Sequence, residues 1–362
     1  MRLGLVGFGI ASGNGAMNSD ICRLSPFVTK WLIPNHPKNK NHEPYIDLAS
    51  NTTQIYKCNP ESENIKEKVK SFFLEIDAIL YVEHPIFQVT YPNINIVEFA
   101  HLHNKKVFGI PMWEWWPRNQ SKKWMLETDA LWAVTAFTNT FLNHLSTVLD
   151  ASGFRPYWYG KVYGDRWGIN LNDFKYVERE FVDSIVFING NGGYKNRKAS
   201  DIIIPVLSKL SKEKFRVKLF SQVNLDNKID FGNIEVINKT FETRNEVYEE
   251  GSLFVFTSYW EGLCHGIYEA CATGAIPITT DSPPMNECVP SIKIPVLKNT
   301  SEKLNEKVKK SIPSQNALEK CLRDLKNKKM TDNSKFSRKW IEDNRNLQIT
   351  LNKMYDCFTK II

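Results

Sequence analysis

Short apolar segments alternate along this chain with longer amphipathic ones, and this alternation limits the folds that it can adopt. The strand-like segments of the first part are residues 3–8, 28–33, 78–82, 106–110 and 130–136. Helical patterns lie between several of them, at residues 16–24, 97–103 and 138–149. Because parallel strands need crossover connections, which are usually helices, the pattern predicts a parallel sheet covered by helices.

The alternation begins again in the second part of the chain. Strand candidates there are residues 184–189, 216–220, 234–237, 253–257 and 275–279, and residues 200–210 are amphipathic. Residues 153–173 are rich in Gly, Tyr, Trp and Arg without periodicity, which indicates a connection between domains. The predicted fold class is α/β, with two Rossmann-like, doubly wound parallel-sheet domains that face a cleft. The predicted segments are residues 1–165, residues 166–334 and a C-terminal helix, 335–362, that returns to the first domain.

The composition agrees with two globular cores, since 42% of the 362 residues are hydrophobic and 24% are charged. Seven cysteines, an odd number, favour reduced thiols and a cytoplasmic location. The net charge of +7 lies entirely after residue 150, which leaves peripheral contact with an anionic membrane surface open. No zinc finger or aromatic RNA-binding signature occurs, so nucleic acid is not an expected partner.

Residues 260–274 are the most informative stretch, because a strand precedes them, a strand follows them and a helix lies between. Glu261 falls in the strand-to-helix turn and Glu269 lies about two turns into the helix. Gly262 and Gly266 would let the backbone approach a ligand, and the amides of a helix start can bind an anion. Two carboxylates beside such an anion site suit a ligand with phosphates and hydroxyl groups. Alternatively, Glu261 only complements the helix dipole and Glu269 is a surface residue.

These acids and the residues after them resemble the C-terminal domain of retaining GT-B glycosyltransferases. The most similar family is the glycogen-synthase-like family four, glycosyl transferases group 1. The resemblance depends on the seven residues between the acids and on the positions that follow them: Ala270, Gly274, Pro277, Asp281, Ser282 and Glu287. It is specific over residues 185–287, whereas the N-terminal half resembles the family in architecture more than in motif.

The resemblance extends to the glycine-rich turn at residues 189–198. Lys198 matches the family's diphosphate-binding Lys, whereas Gly192 or Gly193 occupies the position of the family's Arg. Arg197 is therefore the candidate for the second cation. Fixed cations stabilise the negative charge of a departing diphosphate without a metal ion. A basic surface turn is the alternative, but its place at the start of a second Rossmann-like domain favours the functional interpretation.

The resemblance implies transfer of a sugar from a nucleotide-diphosphate sugar to a hydroxyl acceptor (a glycan, polysaccharide or lipid-linked molecule) with retention of configuration. Glu261 would hold sugar hydroxyls and Glu269 the ribose. The amides of Gly262, Leu263 and Cys264 would cap phosphate or sugar oxygens. No residue is an evident covalent nucleophile, so the leaving phosphate is expected to accept the acceptor's proton.

No cofactor or metal ion is expected, because no Asp-x-Asp element follows a predicted strand. Cys264, His265 and Cys271 lie close together, but their spacing fits no zinc site. These three residues are therefore expected to serve in packing.

The acceptor side is less well defined. Asn14 and Gly15 end a glycine-rich loop after the first strand, and in the family a comparable loop lies over the sugar and acceptor. Family members often carry a His at the end of an acceptor-domain strand, but residues 106–110 run into a Trp-rich segment without one. Glu114 in that segment, or His84 after another strand, could replace it. The tryptophans themselves could stack on a sugar or, as we expect, belong to the core.

Two other functions are compatible with these patterns. An NADP-linked oxidoreductase would use the loop at residues 7–15, but it needs an acid or an Arg after the second strand, where residues 34–38 have neither. A catalytically silent nucleotide-sugar or glycan binder would have the same fold. The departures at the turn Arg and the acceptor-domain His favour this second alternative, and a turnover assay would distinguish it.

Overall fold

The computed structural model describes the following parts of the chain: residues 1–10, 12–34, 49–58, 64–85, 94–116, 122–190, 197–226, 228–239, 243–301 and 309–362. These residues form two compact units. The first is Met1–Trp167 with Leu347–Ile362, and the second is Gly168–Asn346.

Seven parallel strands form the described sheet of the first unit. They are β1 (Leu3–Val6), β2 (Val28–Ile33), β3 (Gln54–Lys57), β4 (Ala78–Val82), β5 (Lys106–Ile110), β6 (Ala130–Trp132) and β7 (Val162–Tyr163). The helices are α1 (Gly13–Leu24), α2 (Ile65–Phe73), α3 (Ile96–Leu102), α4 (Lys123–Glu127) and α5 (Ala136–Ala151). Every residue of β1 and β4 is buried, as expected for the centre of a sheet with helices on both faces.

The strand order of this sheet is β3-β2-β1-β4-β5-β6-β7. The chain moves outward from β1 to β3 and then returns to β4 on the other side of β1. The direction of winding therefore reverses between β1 and β4. In open α/β sheets, ligands bind beyond the carboxyl ends of the strands at such a switch point.

The second unit repeats this topology with six parallel strands in its described residues. They are β8 (Ser184–Gly190), β9 (Arg216–Ser221), β10 (Glu235–Asn238), β11 (Leu253–Phe256), β12 (Ile276–Thr280) and β13 (Ile292–Ile294). The order β10-β9-β8-β11-β12-β13 places the switch point between β8 and β11. A separate antiparallel pair consists of β14 (Val296–Ser301) and β15 (Lys309–Pro313).

The helices of the second unit are α6 (Ser200–Lys212), α7 (Asn245–Glu249), α8 (His265–Ala272), α9 (Gln315–Leu325) and α10 (Thr331–Asn344). Helix α10 packs against α8. The final helix, α11 (Leu347–Thr359), belongs to the first unit, where Phe358 stacks on Phe108 with ring centroids 4.2 Å apart.

The boundaries differ from those expected at residues 165 and 334. The first unit extends to Trp167, and only the segment from Leu347 returns to it. Residues 335–346 stay with the second unit, because Arg338 on α10 donates hydrogen bonds to the carbonyls of Phe174 (2.9 Å) and Ala272 (2.8 Å).

The segment 153–173 also differs from the expected connection, because most of it folds into the first unit. It contributes the edge strand β7 and two buried indoles. Trp158 is fully buried and donates a hydrogen bond to the carbonyl of Met125. This aperiodic segment thus supplies buried tryptophans to the core, although it forms no long helix or strand.

Candidate functional site

The switch point of the second sheet brings two adjacent cations together with an acid that lies more than 60 positions later in the sequence. Arg197 and Lys198 follow β8, and Glu261 follows the neighbouring strand β11. Lys198 Nζ lies 2.6 Å from Glu261 Oε1, and Arg197 donates a hydrogen bond to Glu261 Oε2. Ser258 Oγ donates a third hydrogen bond to Glu261, at 2.8 Å. The parallel order of β8 and β11 explains this meeting, since their carboxyl ends lie at the same edge of the sheet.

Glu261 is only 2% exposed and stays ionised. Burial raises the pKa of its carboxyl, but the opposing charges of Arg197 and Lys198 outweigh that effect and hold the pKa below its usual range. Lys198 is mostly buried, whereas the Arg197 side chain is 45% exposed. Two cations thus face one carboxylate, and one of them reaches solvent.

Backbone contacts fix the loop that carries Glu261. The amide of Tyr259 donates to the carbonyl of Arg197 at 2.7 Å, so the two turns are joined directly. Thr280 Oγ1, at the end of β12, donates to the carbonyl of Ser258 at 2.6 Å. The amide of Ser311 on β15 donates to the carbonyl of Tyr259 at 3.0 Å. The charged cluster is therefore held by β12 and β15 as well as by its own turns.

Glu269 lies in a second charged network, on α8. Arg244 Nη1 donates to Glu269 Oε1 at 2.8 Å, and the Tyr248 hydroxyl donates to Oε2 at 2.7 Å. Glu269 is 5% exposed, so the alternative of a surface Glu is wrong. Burial raises the pKa of Glu269, but Arg244, with His265 and Tyr248, lowers it to about 2.

Sequence reasoning missed Arg244 and Tyr248. Both belong to the crossover between β10 and β11, which includes the five-residue helix α7. Because α7 is so short, its pattern carries little helical signal. The sequence therefore carried no signal that places these two residues beside α8.

The turn at residues 262–264 lies against the buried strands. Leu263 and Cys264 are buried, and Cys264 has a left-handed backbone conformation with φ +58° at the start of α8. Burial, with the Glu261 charge, raises the pKa of the Cys264 thiol to about 12, so this thiol is protonated at neutral pH. Gly192 and Gly193 lie outside the described residues.

The glycine at position 266 has a packing role. A Cβ there would lie 2.7 Å from a ring carbon of Phe256 and 2.9 Å from the Tyr248 hydroxyl. Packing of α8 on β11 therefore explains the glycine at this position, whereas the expected approach of a ligand to its backbone stays a prediction. In the part of the chain that the structure describes, no three His, Cys, Asp or Glu side chains form a metal-binding group.

In the first unit, the predicted acceptor-side residues lie near the switch point of β1 and β4. Asn14 Nδ2 donates to the carbonyl of Val82, at the end of β4, at 3.4 Å. Gly15 cannot carry a side chain, because a Cβ would lie 1.9 Å from the carbonyl oxygen of Ile10. His84 is the second residue after β4, and burial, with the nearby charge of Lys122, lowers its pKa to about 4.

Glu114 follows β5 in a short 3-10 turn, Trp113–Trp115. The flanking indoles Trp113 and Trp116 are at most 4% exposed. Trp113 packs edge-on against Phe137, and Trp116 Nε1 donates to the carbonyl of Glu83. These two tryptophans therefore belong to the core, which leaves them no open face for a sugar.

Comparisons with known proteins agree with this fold. Residues 211–329 match the family glycosyl transferases group 1, so both Glu261 and Glu269 lie inside the match and Lys198 lies before it. The matched range, 211–329, begins and ends later than residues 185–287, over which the sequence alone resembles the family. A comparison with curated protein sequences gave no significant match.

Solved structures resemble the chain over its full length at low identity. HepE of Anabaena in complex with UDP is 11% identical, with a TM-score of 0.65 and 100% of both chains covered. Sucrose-phosphate synthase of Thermosynechococcus elongatus is 12% identical, with a TM-score of 0.63 and coverages of 100% and 99%. The catalytic domain of starch synthase IV of Arabidopsis thaliana, bound to ADP and acarbose, is 9% identical, with a TM-score of 0.62 and the same coverages. The resemblance is thus confirmed: residues 211–329 match the glycosyl transferases group 1, and the chain has the GT-B glycosyltransferase fold.

Proposed function

We propose that this chain transfers a sugar from a nucleotide-diphosphate sugar to a hydroxyl acceptor, with retention of configuration and without a metal ion. One observation carries the proposal. A buried carboxylate, Glu261, is paired with Lys198 and Arg197 at the switch point of a parallel sheet, where α/β folds bind their ligands.

The diphosphate would bind to Lys198 and Arg197. When the bond between the sugar and the phosphate breaks, negative charge grows on the leaving diphosphate, and fixed cations stabilise that charge. Glu261 and these two cations sum to one positive charge, which favours an anionic ligand. The hydrogen bond from Ser258 would keep Glu261 oriented while the two cations turn towards phosphate oxygens.

The remaining donor contacts follow from the same geometry. Glu261 would accept hydrogen bonds from sugar hydroxyls, and Glu269 from the ribose. The amides of Gly262, Leu263 and Cys264 would cap phosphate or sugar oxygens. The acceptor hydroxyl would attack from the face that the diphosphate leaves, and a phosphate oxygen would take its proton.

On the acceptor side, Asn14, Gly15, Glu114 and His84 remain the candidates. Because the pKa of His84 is lowered to about 4, its ring is neutral at pH 7. His84 would therefore act through hydrogen bonds to an acceptor or a sugar hydroxyl and would carry no charge there.

The solved relatives support a nucleoside diphosphate as the leaving group. HepE of Anabaena is in complex with UDP, and starch synthase IV is bound to ADP and acarbose. These ligands belong to those proteins. They make UDP- and ADP-sugars the first donors to test on this chain, and GDP-sugars complete the panel.

The test is a thermal-shift panel of these donors, followed by a turnover assay with the donor that stabilises the chain most. A ligand at 100 times its Kd stabilises a folded protein by about 2.7 kcal/mol, so binding gives a measurable shift. We expect release of the nucleoside diphosphate, a product whose anomeric proton coupling in NMR matches that of the donor, and unchanged turnover in EDTA.

Three results would contradict the proposal in different ways. Absence of any donor shift would remove the donor site. If a donor binds but is neither transferred nor slowly hydrolysed, the result would favour a catalytically silent nucleotide-sugar binder. Inverted product, or activity lost in EDTA and restored by manganese, would overturn the retaining or metal-independent part alone.

A further inference from the structure

The antiparallel ribbon of β14 and β15 reaches the loop of Glu261 through one buried serine. Ser311 on β15 is 2% exposed and lies opposite Asn299 on β14. Its amide donates to the carbonyl of Tyr259, two residues before Glu261, so β15 pairs with β14 along one edge and meets this loop at the other. The backbone of Ser311 therefore joins the ribbon to the loop that carries the acid.

The Ser311 hydroxyl makes a second connection, to the loop after β12. Ser311 Oγ donates to Asn299 Oδ1 at 3.0 Å. Because a serine hydroxyl has one proton, the 2.8 Å contact between Ser311 Oγ and Ser282 Oγ is a hydrogen bond that Ser282 donates. Strands β11 and β12 are parallel neighbours, so the loops after them lie at the same edge of the sheet. Ser311 thus ties both loops to the ribbon.

These connections matter most when a donor is bound. Two cations, Lys198 and Arg197, pair with the Glu261 carboxylate in the structure. Under the proposed function, both cations turn towards the diphosphate, so Glu261 loses their attraction. The place of the carboxylate then depends on the hydrogen bond from Ser258 and on the backbone of its own loop.

That backbone is held from outside at two successive carbonyls. Thr280 Oγ1, at the end of β12, donates to the carbonyl of Ser258, and the amide of Ser311 donates to that of Tyr259. The ribbon also holds the Tyr259 ring, since Lys310 Nζ lies 3.9 Å from its centroid. A shift of the ribbon against β12 would therefore move the loop that carries the acid.

We propose that Ser311 is a positioning residue for the donor sugar. Its amide and its hydroxyl hold the Glu261 loop against the loop after β12, which keeps Glu261 where it accepts hydrogen bonds from sugar hydroxyls. Ser311 acts through Glu261 and is not itself a contact of the ligand. The inference rests on the proposed function, because Glu261 holds a sugar only there. It adds that affinity for the sugar part of the donor depends on the ribbon.

The test compares two ligands by isothermal titration calorimetry in the absence of an acceptor. One is the donor that stabilises the wild-type protein most in the panel of UDP-, ADP- and GDP-sugars, and the other is the nucleoside diphosphate of that donor. Ser311→Ala removes the hydroxyl and keeps the amide. We expect the Kd of the nucleotide sugar to rise about 5- to 10-fold, as loss of a hydrogen bond does. The Kd of the nucleoside diphosphate should change less than about twofold, because Lys198 and Arg197 remain.

A second variant removes the same contact from the other side. Ser282→Ala changes a half-buried position and should raise the Kd of the nucleotide sugar by a similar factor. The double variant should be at most about twofold weaker than the weaker single variant, because the two changes remove one shared contact. If Ser311→Ala does not fold, Ser282→Ala decides by the same two Kd values.

Ser314→Ala is the matched control, because it removes a buried serine hydroxyl just after the ribbon that serves the fold alone. Ser314 caps α9, where its hydroxyl accepts a hydrogen bond from the amide of Ala317 at 3.2 Å. Its loss should lower the melting temperature by about 2 to 4 °C and leave both Kd values unchanged. The control thereby separates loss of stability from displacement of Glu261.

The outcomes distinguish the inference from the proposed function. Absence of donor binding to the wild-type protein would overturn both. Equal losses for both ligands in Ser311→Ala, or no loss for either, would overturn the role of Ser311 and leave the donor site standing. Effects of Ser311→Ala and Ser282→Ala that multiply in the double variant would likewise overturn the shared contact alone.

Discussion

Glu269 shows how neighbouring side chains hold a buried acid in place. Its two oxygens already accept hydrogen bonds from Arg244 and Tyr248, so its charge is compensated and its orientation is fixed. The spacing of the two acids identified Glu269 in the sequence. Its partners could not be predicted, since they come from a crossover whose position depends on the packing of α7 against α8.

The Glu269 network predicts a pH-dependent stability. The folded pKa of about 2 lies below the ordinary value of 4.5, so the ionised Glu269 stabilises the folded state above pH 4.5. That contribution is lost as the pH falls from about 4.5 to about 2. Glu269→Gln should therefore lower the free energy of unfolding by about 3 to 5 kcal/mol at pH 7, because Arg244 loses its main partner.

Urea denaturation at pH 7 and at pH 3 measures this difference. We expect the gap between wild type and Glu269→Gln to be smaller at pH 3. The control is Glu178→Gln, which changes a half-exposed carboxylate paired with Lys335 at the surface and should have little effect. A gap that stays constant between the two pH values would show that the charge of Glu269 does not stabilise the fold.

Lys198 is the residue whose loss should affect the reaction most specifically. Lys198→Ala removes a cation from the proposed diphosphate site, so turnover should fall by about 10- to 1,000-fold. The fold should persist, because Arg197 and Ser258 still hold Glu261. Lys209→Ala, on the outer part of α6, is the control and should keep wild-type turnover. Equal rates for Lys198→Ala and wild type would mean that the diphosphate binds elsewhere.

Among the elements, the buried central strands were predictable and the polar edge strands were not. The bounds of β2, β4 and β5 match the predicted segments at residues 28–33, 78–82 and 106–110. Strands covered on both faces are nearly continuous apolar runs, which stand out in a sequence. No residue of β3 is buried, and β14 and β15 contain three Lys residues between them, so these strands depend on partners that only the fold provides.

One predicted strand was too long for a local reason. The apolar run at residues 130–136 continues past the strand, but β6 ends at Trp132. Thr135 instead caps α5, since its hydroxyl accepts a hydrogen bond from the amide of Thr138 at 3.0 Å. Apolar residues alone do not show where the strand ends and where a cap begins the next helix.

The end of α6 offers a test of helix termination. Lys214 follows the C-cap residue Glu213, is exposed and has φ +66°, a conformation that costs an L residue about 1 kcal/mol. Lys214→Gly removes this cost and should raise the melting temperature of the transition to which the second unit contributes by about 2 to 4 °C in calorimetry. Lys209→Gly, at an exposed position inside the helix, should lower it. A lower melting temperature for Lys214→Gly would contradict the assigned backbone conformation.

At the scale of the whole molecule, both units have the same strand order, and their candidate residues lie at equivalent places. Asn14 and His84 lie near the switch point of the first sheet, and Lys198 and Glu261 lie at that of the second. Alternating patterns were enough to predict two such sheets. They could not show that residues 335–346 stay with the second unit, because that depends on the contacts of Arg338. None of the helices in the described ranges is long and apolar enough to cross a membrane.

The proposed nucleotide site in the second unit predicts where a bound nucleotide slows amide exchange. With a saturating nucleoside diphosphate, peptides from residues 197–212 and 253–272 should exchange more slowly, because the bound state opens less often. Peptides from residues 28–33 in the first sheet should be unaffected. Hydrogen–deuterium exchange mass spectrometry measures both, and protection confined to residues 12–24 would assign the nucleotide to the first unit.

A crystal structure with the nucleoside diphosphate that stabilises the chain most would test the central claim directly. We predict a diphosphate oxygen about 2.7 to 3.2 Å from Lys198 Nζ, with the ribose beside Glu269. A nucleotide bound instead at the start of α1, with Lys198 still paired to Glu261, would contradict the account.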